Sequence, residues 1–153
     1  MLERGDVAPG FSAPMADGGI HITTLADLLA DPPVLVAFFP GAFTGTCTSE
    51  MHALEERFGN APVTVVGISR DLPFALNAFR DAEGLSVPLV ADPDATIMAE
   101  YDVVTDFADI GLDRIAKRAV FLLDDDGRVT YRWIGEDPTV EPPYDAIADA
   151  LER

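Results

Sequence analysis

The chain has 153 residues, 48% of them hydrophobic, and 27 Asp and Glu against 10 Lys and Arg give it a formal net charge of -17. This length predicts a single domain over residues 1–153 that can bury one core. The lone cysteine, Cys47, excludes an intramolecular disulfide, and the acidic balance argues against binding to nucleic acid or anionic membranes. The N-terminus lacks a secretory pattern and no apolar run could span a bilayer, so we expect a cytoplasmic protein.

The acidic residues interrupt well-formed apolar runs, as they do in folded proteins and not in acidic disordered chains. Lys117 is the only lysine, so arginine supplies nearly all of the positive charge. At about 1 M salt the screening length falls to about 3 Å, which makes such self-repulsion tolerable. The composition therefore predicts a halophilic host.

The first part of the chain predicts a β-hairpin and a short helix. Within residues 9–24, Asp17-Gly18-Gly19 separates two short alternating segments, and Pro14 suits an edge position. Thr24 can cap a helix over residues 25–30.

A buried strand is predicted next, because residues 34–39 are apolar at every position. Residues 48–58 predict a helix whose spacing leaves Glu50 available to solvent, and residues 62–69 predict a second buried strand. Strand, helix and strand together make one right-handed βαβ unit.

The later elements continue the alternation of strand and helix. They are a helix over residues 71–83, a strand over 86–90, a helix from 92 to about 101, a loop over 102–116 that could hold a helical turn, a hairpin over 117–133 and a helix over 144–151. Phe74, Leu76, Ala78 and Phe79 are expected to form the apolar stripe of the first of these helices. The order predicts an α/β fold, a thioredoxin-like sandwich in which helices cover both faces of a central mixed sheet.

Cys47 stands at the start of a helix, after a buried strand and the Pro40-Gly41 loop. Backbone N–H groups and the helix dipole favour a thiolate at such a position, whereas most lone cysteines are small buried hydrophobes. Thr44 could turn its hydroxyl toward the sulfur, Pro40 could shield one side, and Arg118 could stabilise the thiolate and hold a substrate oxygen.

Histidine and metal chemistry are less well supported by the sequence. A cysteine protease or transferase would need a base, and the candidates His21 and His52 do not have the spacing of a dyad with Cys47. These residues also make a poor zinc set, and Asp124-Asp125-Asp126 is interpreted as a solvated hairpin turn, so no metal site is predicted.

The motif Pro40-x-x-x-Thr44-x-x-Cys47, together with Arg118 before an apolar strand, resembles the active site of the peroxiredoxins. Residues 69–74 and 92–103 are also similar to that family. The similarity is greatest to the one-cysteine members, either alkyl-hydroperoxide-reductase-E-like or bacterioferritin-comigratory-like.

The resemblance implies a peroxidase that reduces hydrogen peroxide, organic hydroperoxides or both, and it assigns roles to individual residues. Cys47 would be the peroxidatic thiolate that becomes a sulfenic acid. The other implied roles are Thr44 and Arg118 aligning the peroxide, Pro40 shielding the site, Glu50 orienting the arginine, and Phe43 and Thr46 lining the substrate pocket.

No second cysteine can resolve the sulfenic acid, so the resemblance implies an external thiol or a thioredoxin- or glutaredoxin-like reductant and no bound cofactor. It also implies a homodimer or higher homo-oligomer. Asp102 departs from the family, which often has glycine there, and residues 103–116 match no known element. Two alternatives stay open: thiol-disulfide exchange of thioredoxin type, for which Thr44 replaces the first cysteine of Cys-x-x-Cys, and a non-enzymatic binding or holdase module.

Overall fold

A computed structural model describes residues 2–152 of the chain. The strands are β1 (Ser12–Ala16), β2 (Ile20–Thr24), β3 (Val34–Phe38), β4 (Thr64–Ser69), β5 (Leu89–Ala91), β6 (Val104–Phe107), β7 (Leu112–Ala116), β8 (Ala119–Leu123) and β9 (Val129–Ile134). The helices are α1 (Leu25–Leu28), α2 (Gly45–Phe58), α3 (Pro73–Glu83), α4 (Thr96–Glu100) and α5 (Tyr144–Leu151). None of the helices described in residues 2–152 is both long and apolar enough to cross a membrane.

One mixed sheet of seven strands runs through the molecule in the order β2-β1-β5-β4-β3-β8-β9. The strand β3 pairs parallel with β4 and antiparallel with β8, which places it in the interior of the sheet. This arrangement confirms the predicted thioredoxin-like sandwich with its N-terminal hairpin.

The sheet separates two hydrophobic cores because alternate side chains of a strand point to opposite faces. In β3, Val34 and Phe38 join the core that includes α1 and α4, whereas Leu35 joins the core that includes α2, α3 and α5. Burial on both faces explains why this strand is apolar at every position.

Gly67 of β4 leaves room for the side chains that pack on this face of the sheet. A Cβ atom at this position would come within 2.7 Å of Leu89 Cδ2 and 3.1 Å of Phe39 Cε1. A larger residue would therefore force these side chains to move.

The predicted position of Pro14 needs correction. Pro14 is not on an edge strand, since β2 forms the edge and β1 pairs with β5, but only Met15 and Ala16 take part in that pairing. Proline is tolerated because it lies outside the part of β1 that pairs with β5.

The predicted apolar stripe of α3 is only partly correct. Leu76 and Phe79 are fully buried, whereas Phe74 is 71% exposed and Ala78 is also exposed. Leu76 and Phe79 are three residues apart and share the face of the helix that packs against the sheet. Phe74 and Ala78 lie on the adjacent face. Pro73 at the first turn and Gly84 in the left-handed region bound this helix.

The predicted loop over residues 102–116 is wrong, although its helical turn is confirmed. The segment forms an antiparallel hairpin of β6 and β7 joined by a 3₁₀ turn at Ala108–Ile110. Most of its side chains are exposed, so no alternation of buried positions marked the strands. Asp102, just before the hairpin, has a φ of 58°, a conformation that glycine adopts most easily.

Candidate active site

Cys47 is the third residue of α2 and is only 1% exposed. The helix begins at Gly45, earlier than the predicted position 48, with Thr44 as the N-cap residue. The first N–H groups of a helix have no carbonyl acceptor within the helix. Cys47 therefore lies in the first turn of α2, at the positive end of the helix dipole.

Arg118 reaches this sulfur from the residue before β8. Because β8 runs antiparallel to β3, with Ala119 opposite Phe38, the start of β8 lies beside the end of β3. Arg118 Nη2 donates a hydrogen bond to Cys47 Sγ at 3.3 Å, and the arginine is only 2% exposed. Residues 71 positions apart in sequence thus form the centre of the site.

Glu50 lies about one turn beyond Cys47 on α2 and is completely buried, so its predicted exposure to solvent is wrong. Its Oε1 accepts a hydrogen bond from Arg118 Nη1 at 2.6 Å. Burial raises the pKa of Glu50 to about 7, even though the positive charge of Arg118 lowers it. Glu50 Oε2 has no hydrogen-bond partner among residues 2–152.

Pro138 contributes a main-chain group that the sequence did not reveal. Its carbonyl oxygen accepts from Arg118 Nη2 at 2.8 Å and from Nε at 3.2 Å. Together with the bonds to Cys47 and Glu50, these contacts use all but one of the guanidinium N–H donors. Burial, the largest single influence, lowers the pKa of Arg118, but the charges and hydrogen bonds of Glu50 and Cys47 together outweigh it and raise the pKa above the ordinary value. The arginine is therefore a permanent, oriented cation.

The loop between β3 and α2 is held by hydrogen bonds from both ends. The Thr44 hydroxyl donates to the Gly41 carbonyl at 2.9 Å, which leaves its oxygen free to accept from a substrate. Asp71 Oδ2 accepts from the Ala42 N–H at 2.8 Å. Asp71 was not predicted from the sequence as a site residue. Because Asp71 follows β4 closely, it lies at the same edge of the sheet as the loop between β3 and α2.

An open cavity of about 470 Å³ adjoins this loop. Its lining includes Pro40 and Thr44 on one side and Phe107, Ile110, Leu112 and Ile115 of the hairpin on the other. Phe43 and Thr46, the other predicted pocket residues, lie outside that lining. Phe43 instead packs its ring edge-on against Phe79 with centroids 5.2 Å apart, and Thr46 lies half-buried in the first turn of α2.

Comparison with known proteins identifies the family to which this site belongs. Residues 4–132 match the AhpC/TSA family. This chain is a member of that family. It is 35% identical over 157 aligned positions to peroxiredoxin Bcp of Escherichia coli, covering 99% of this chain and 97% of that protein. It is also 31% identical over 154 positions to a thiol peroxidase of Staphylococcus aureus, covering 99% of this chain and 89% of that protein.

A solved structure of peroxidoxin BcpB from Mycobacterium tuberculosis superposes with a TM-score of 0.80 at 29% identity, over 99% of this chain and 96% of that one. The resemblance to the peroxiredoxins is therefore confirmed. With Cys47 as its sole cysteine, the protein is a one-cysteine peroxiredoxin, an enzyme of thiol-dependent peroxide reduction.

The two histidines of this peroxiredoxin are engaged elsewhere. His21 lies 3.6 Å from Asp17 in the N-terminal hairpin, and His52 lies 2.9 Å from Glu83 of α3. Both imidazoles therefore have carboxylate partners away from Cys47.

The aspartates of the β8–β9 turn bring their ligand atoms within 4.8 Å of one another. Asp124 Oδ1, however, accepts from the N–H groups of Asp126 and Arg128, each at 2.9 Å. These contacts fit the interpretation of the cluster as a hairpin turn.

Proposed function

We propose that this peroxiredoxin reduces hydrogen peroxide and organic hydroperoxides at Cys47, with Arg118 as the group that orients the peroxide. The observation that carries the proposal is the 3.3 Å hydrogen bond from Arg118 Nη2 to Cys47 Sγ inside a buried site. A cation at this distance stabilises the thiolate in a low-dielectric surrounding, where its electrostatic effect exceeds that in water.

In the proposed reaction the Cys47 thiolate attacks one oxygen of the peroxide in line with the O–O bond. An S–O bond forms and the O–O bond breaks, so that sulfur is oxidised to a sulfenic acid and the peroxide is reduced. The leaving oxygen takes up a proton and departs as water or an alcohol. Charge develops on that oxygen in the transition state, where a fixed guanidinium is most effective.

The neighbouring residues support this step in different ways. We assign to the Thr44 hydroxyl oxygen the acceptance of the peroxide O–H, because its own proton is already donated to Gly41. Glu50 fixes the arginine from the opposite side, and the buried ring of Pro40 excludes water without offering a competing N–H.

The sulfenic acid must be reduced from outside, because the chain has no other cysteine. We propose an external thiol, either a small thiol or a thioredoxin- or glutaredoxin-like protein, as the reductant. A first thiol condenses with the sulfenic acid to a mixed disulfide and releases water, and a second thiol displaces Cys47. No bound cofactor is required, and we expect a homodimer as the simplest assembly.

Mass spectrometry of the intact protein tests the proposal. One equivalent of hydrogen peroxide should add a single oxygen to the parent protein, located on Cys47 by peptide mapping, and none to Cys47→Ser. With an external thiol present, Cys47→Ser should also lose peroxide consumption. Turnover by Cys47→Ser at the parent rate would show that the assignment is wrong.

The two other functions considered from the sequence predict different results. Thiol-disulfide exchange of thioredoxin type normally uses a Cys-x-x-Cys pair, and this chain has a single cysteine. A binding or holdase module would leave Cys47 reacting with peroxide no faster than free cysteine does. A second-order rate constant far above that of free cysteine therefore separates the enzyme from both.

A further inference from the structure

The cavity beside Thr44 is much larger than hydrogen peroxide requires. Its volume of about 470 Å³ lies in the range of roughly 300 to 1,000 Å³ typical of sites for organic ligands. One side is the cysteine loop with Pro40 and Thr44, and the other is the β6–β7 hairpin. The cavity therefore adjoins Thr44, the residue to which we assign the acceptance of the peroxide O–H.

The hairpin presents apolar side chains to this cavity. Phe107, Ile110, Leu112 and Ile115 all contribute to the lining. Ile110 is 68% exposed and Leu112 is 44% exposed. Contact of neighbouring apolar side chains with water is unfavourable, and exposed apolar patches often mark binding sites. These two residues have contact area available for a ligand.

Arg70 fastens the hairpin to the rest of the molecule. Its Nη1 donates to the carbonyl oxygens of Asp113 at 2.8 Å and Arg114 at 3.0 Å, while Nε donates to the Pro93 carbonyl at 3.3 Å. Arg114 has a φ of 49°, a left-handed conformation that is unfavourable for a side chain larger than glycine. Hydrogen bonds from Arg70 offset that cost and keep the hairpin in place over the cavity.

We propose that Ile110 and Leu112 form the binding wall for the organic group of a neutral, apolar hydroperoxide, and that Arg70 is the positioning residue that holds this wall opposite Thr44. The inference rests on the proposed peroxidase function and adds its substrate class. The hydroperoxide group reaches Cys47, sulfur takes one oxygen, and the alcohol that leaves carries its apolar part along the hairpin.

The charges around the cavity favour a neutral substrate. Asp71 and Asp113 belong to its lining, and the whole chain has a formal net charge of -17, so an anionic tail would be repelled. The Nη1 group of Arg70, the cation at the rim, already donates to main-chain oxygens. Apolar contact is therefore the favourable interaction that the wall can offer.

The test compares second-order rate constants for oxidation of Cys47 by cumene hydroperoxide and by hydrogen peroxide, followed as loss of free thiol in rapid-mixing experiments. Ile110→Ser/Leu112→Ser should lower the ratio of the cumene constant to the hydrogen peroxide constant by about tenfold, the loss of about 1.4 kcal/mol of apolar contact. The matched control is Ile20→Ser/Ile22→Ser. These residues are 44% and 65% exposed on the far hairpin, and both rate constants should stay at the parent values.

An unchanged ratio in Ile110→Ser/Leu112→Ser would overturn the inference while leaving the peroxidase assignment intact. The inference would also be overturned if the ratio stayed unchanged and light scattering gave a lower molar mass for this variant than for the parent protein. That result would assign Ile110 and Leu112 to contact between copies of this chain. If the parent protein reacts with neither peroxide faster than free cysteine, the proposed function itself fails.

A double-mutant comparison tests the role of Arg70. Arg70→Gln should lower the same ratio of rate constants. In the Ile110→Ser/Leu112→Ser background the Arg70→Gln substitution should cause no further decrease, because the wall that Arg70 positions is already lost. Arg128→Gln is the control, since Arg128 also donates from an exposed position to a main-chain oxygen, that of Gly5 at 3.0 Å. An equal loss of both rate constants in Arg70→Gln would contradict a positioning role.

Discussion

Arg118 and Glu50 form a buried ion pair in which the arginine bridges the carboxylate and the reactive sulfur. The Nη1 atom lies 2.6 Å from Glu50 Oε1 and Nη2 lies 3.3 Å from Cys47 Sγ. The pair is nearly inaccessible to solvent, so neither charge is well hydrated. Breaking such a pair from one side is strongly destabilising, because the other charge is left without a partner.

Replacement of Arg118 by methionine should therefore have two separable effects. We expect Arg118→Met to lower the second-order rate constant for peroxide by about 10²- to 10³-fold, since it removes the cation at the sulfur. It should also lower the free energy of unfolding by about 3 kcal/mol at pH 8, where Glu50 is ionised, and by less at pH 6, where Glu50 can bind a proton. Stopped-flow kinetics and urea unfolding measure the two effects. The double variant Arg118→Met/Glu50→Gln should recover stability without activity; recovery of the rate would contradict the catalytic role.

Glu50 should make the fold less stable as the pH rises. Its pKa of about 7 in the folded protein exceeds the ordinary 4.5, so the folded state binds more protons between these values and the free energy of unfolding falls with rising pH. The stabilisation is complete below about pH 4.5 and is lost through pH 7. Relative to Glu50→Gln, the parent should lose roughly 3 kcal/mol between pH 4.5 and 8. Urea unfolding across this range measures the difference, with Glu56→Gln, an exposed site on the same helix, as control. Parallel pH profiles for parent and Glu50→Gln would show that Glu50 keeps an ordinary pKa.

The Thr44 hydroxyl should matter for the reaction rate more than for stability. Thr44→Val removes the oxygen that we expect to accept the peroxide O–H, and should lower the peroxide rate constant by about 10²-fold. Thr44→Ser keeps the hydroxyl and should remain within a few-fold of the parent. Thr48→Val is a nearby control, because the Thr48 hydroxyl donates to the Thr44 carbonyl at 2.8 Å and Thr48 does not belong to the lining of the cavity beside Thr44. Equal losses in Thr44→Ser and Thr44→Val would refute the acceptor role.

The acidic composition predicts a fold that depends on salt. With a formal net charge of -17, self-repulsion grows as the screening length lengthens from about 3 Å at 1 M to about 30 Å at 0.01 M. The melting temperature should therefore fall when KCl is reduced from molar to millimolar concentration. Sucrose in place of KCl controls for effects of solute other than screening. A melting temperature that is independent of KCl would remove the halophilic interpretation.

Several elements of the fold and site could be predicted because local patterns specify them. The apolar run of β3, the Gly84 stop of α3 and the Asp-Gly turn between β8 and β9 each depend on residues close in sequence. The α5 helix has the predicted bounds. The β6–β7 hairpin could not be predicted because its strands are only partly buried, without the alternation of buried and exposed positions that marks a strand.

The sequence by itself determined that Cys47 follows a buried strand at the first turn of a helix, and its motif with Arg118 indicated the family. Only the tertiary structure decided that Glu50 is buried against that arginine, that the Pro138 carbonyl holds its other edge, and that the hairpin borders the cavity. The reason is physical. Helix starts and strands arise from neighbouring residues, whereas the burial of one carboxylate or the aim of one carbonyl depends on which distant segments pack together.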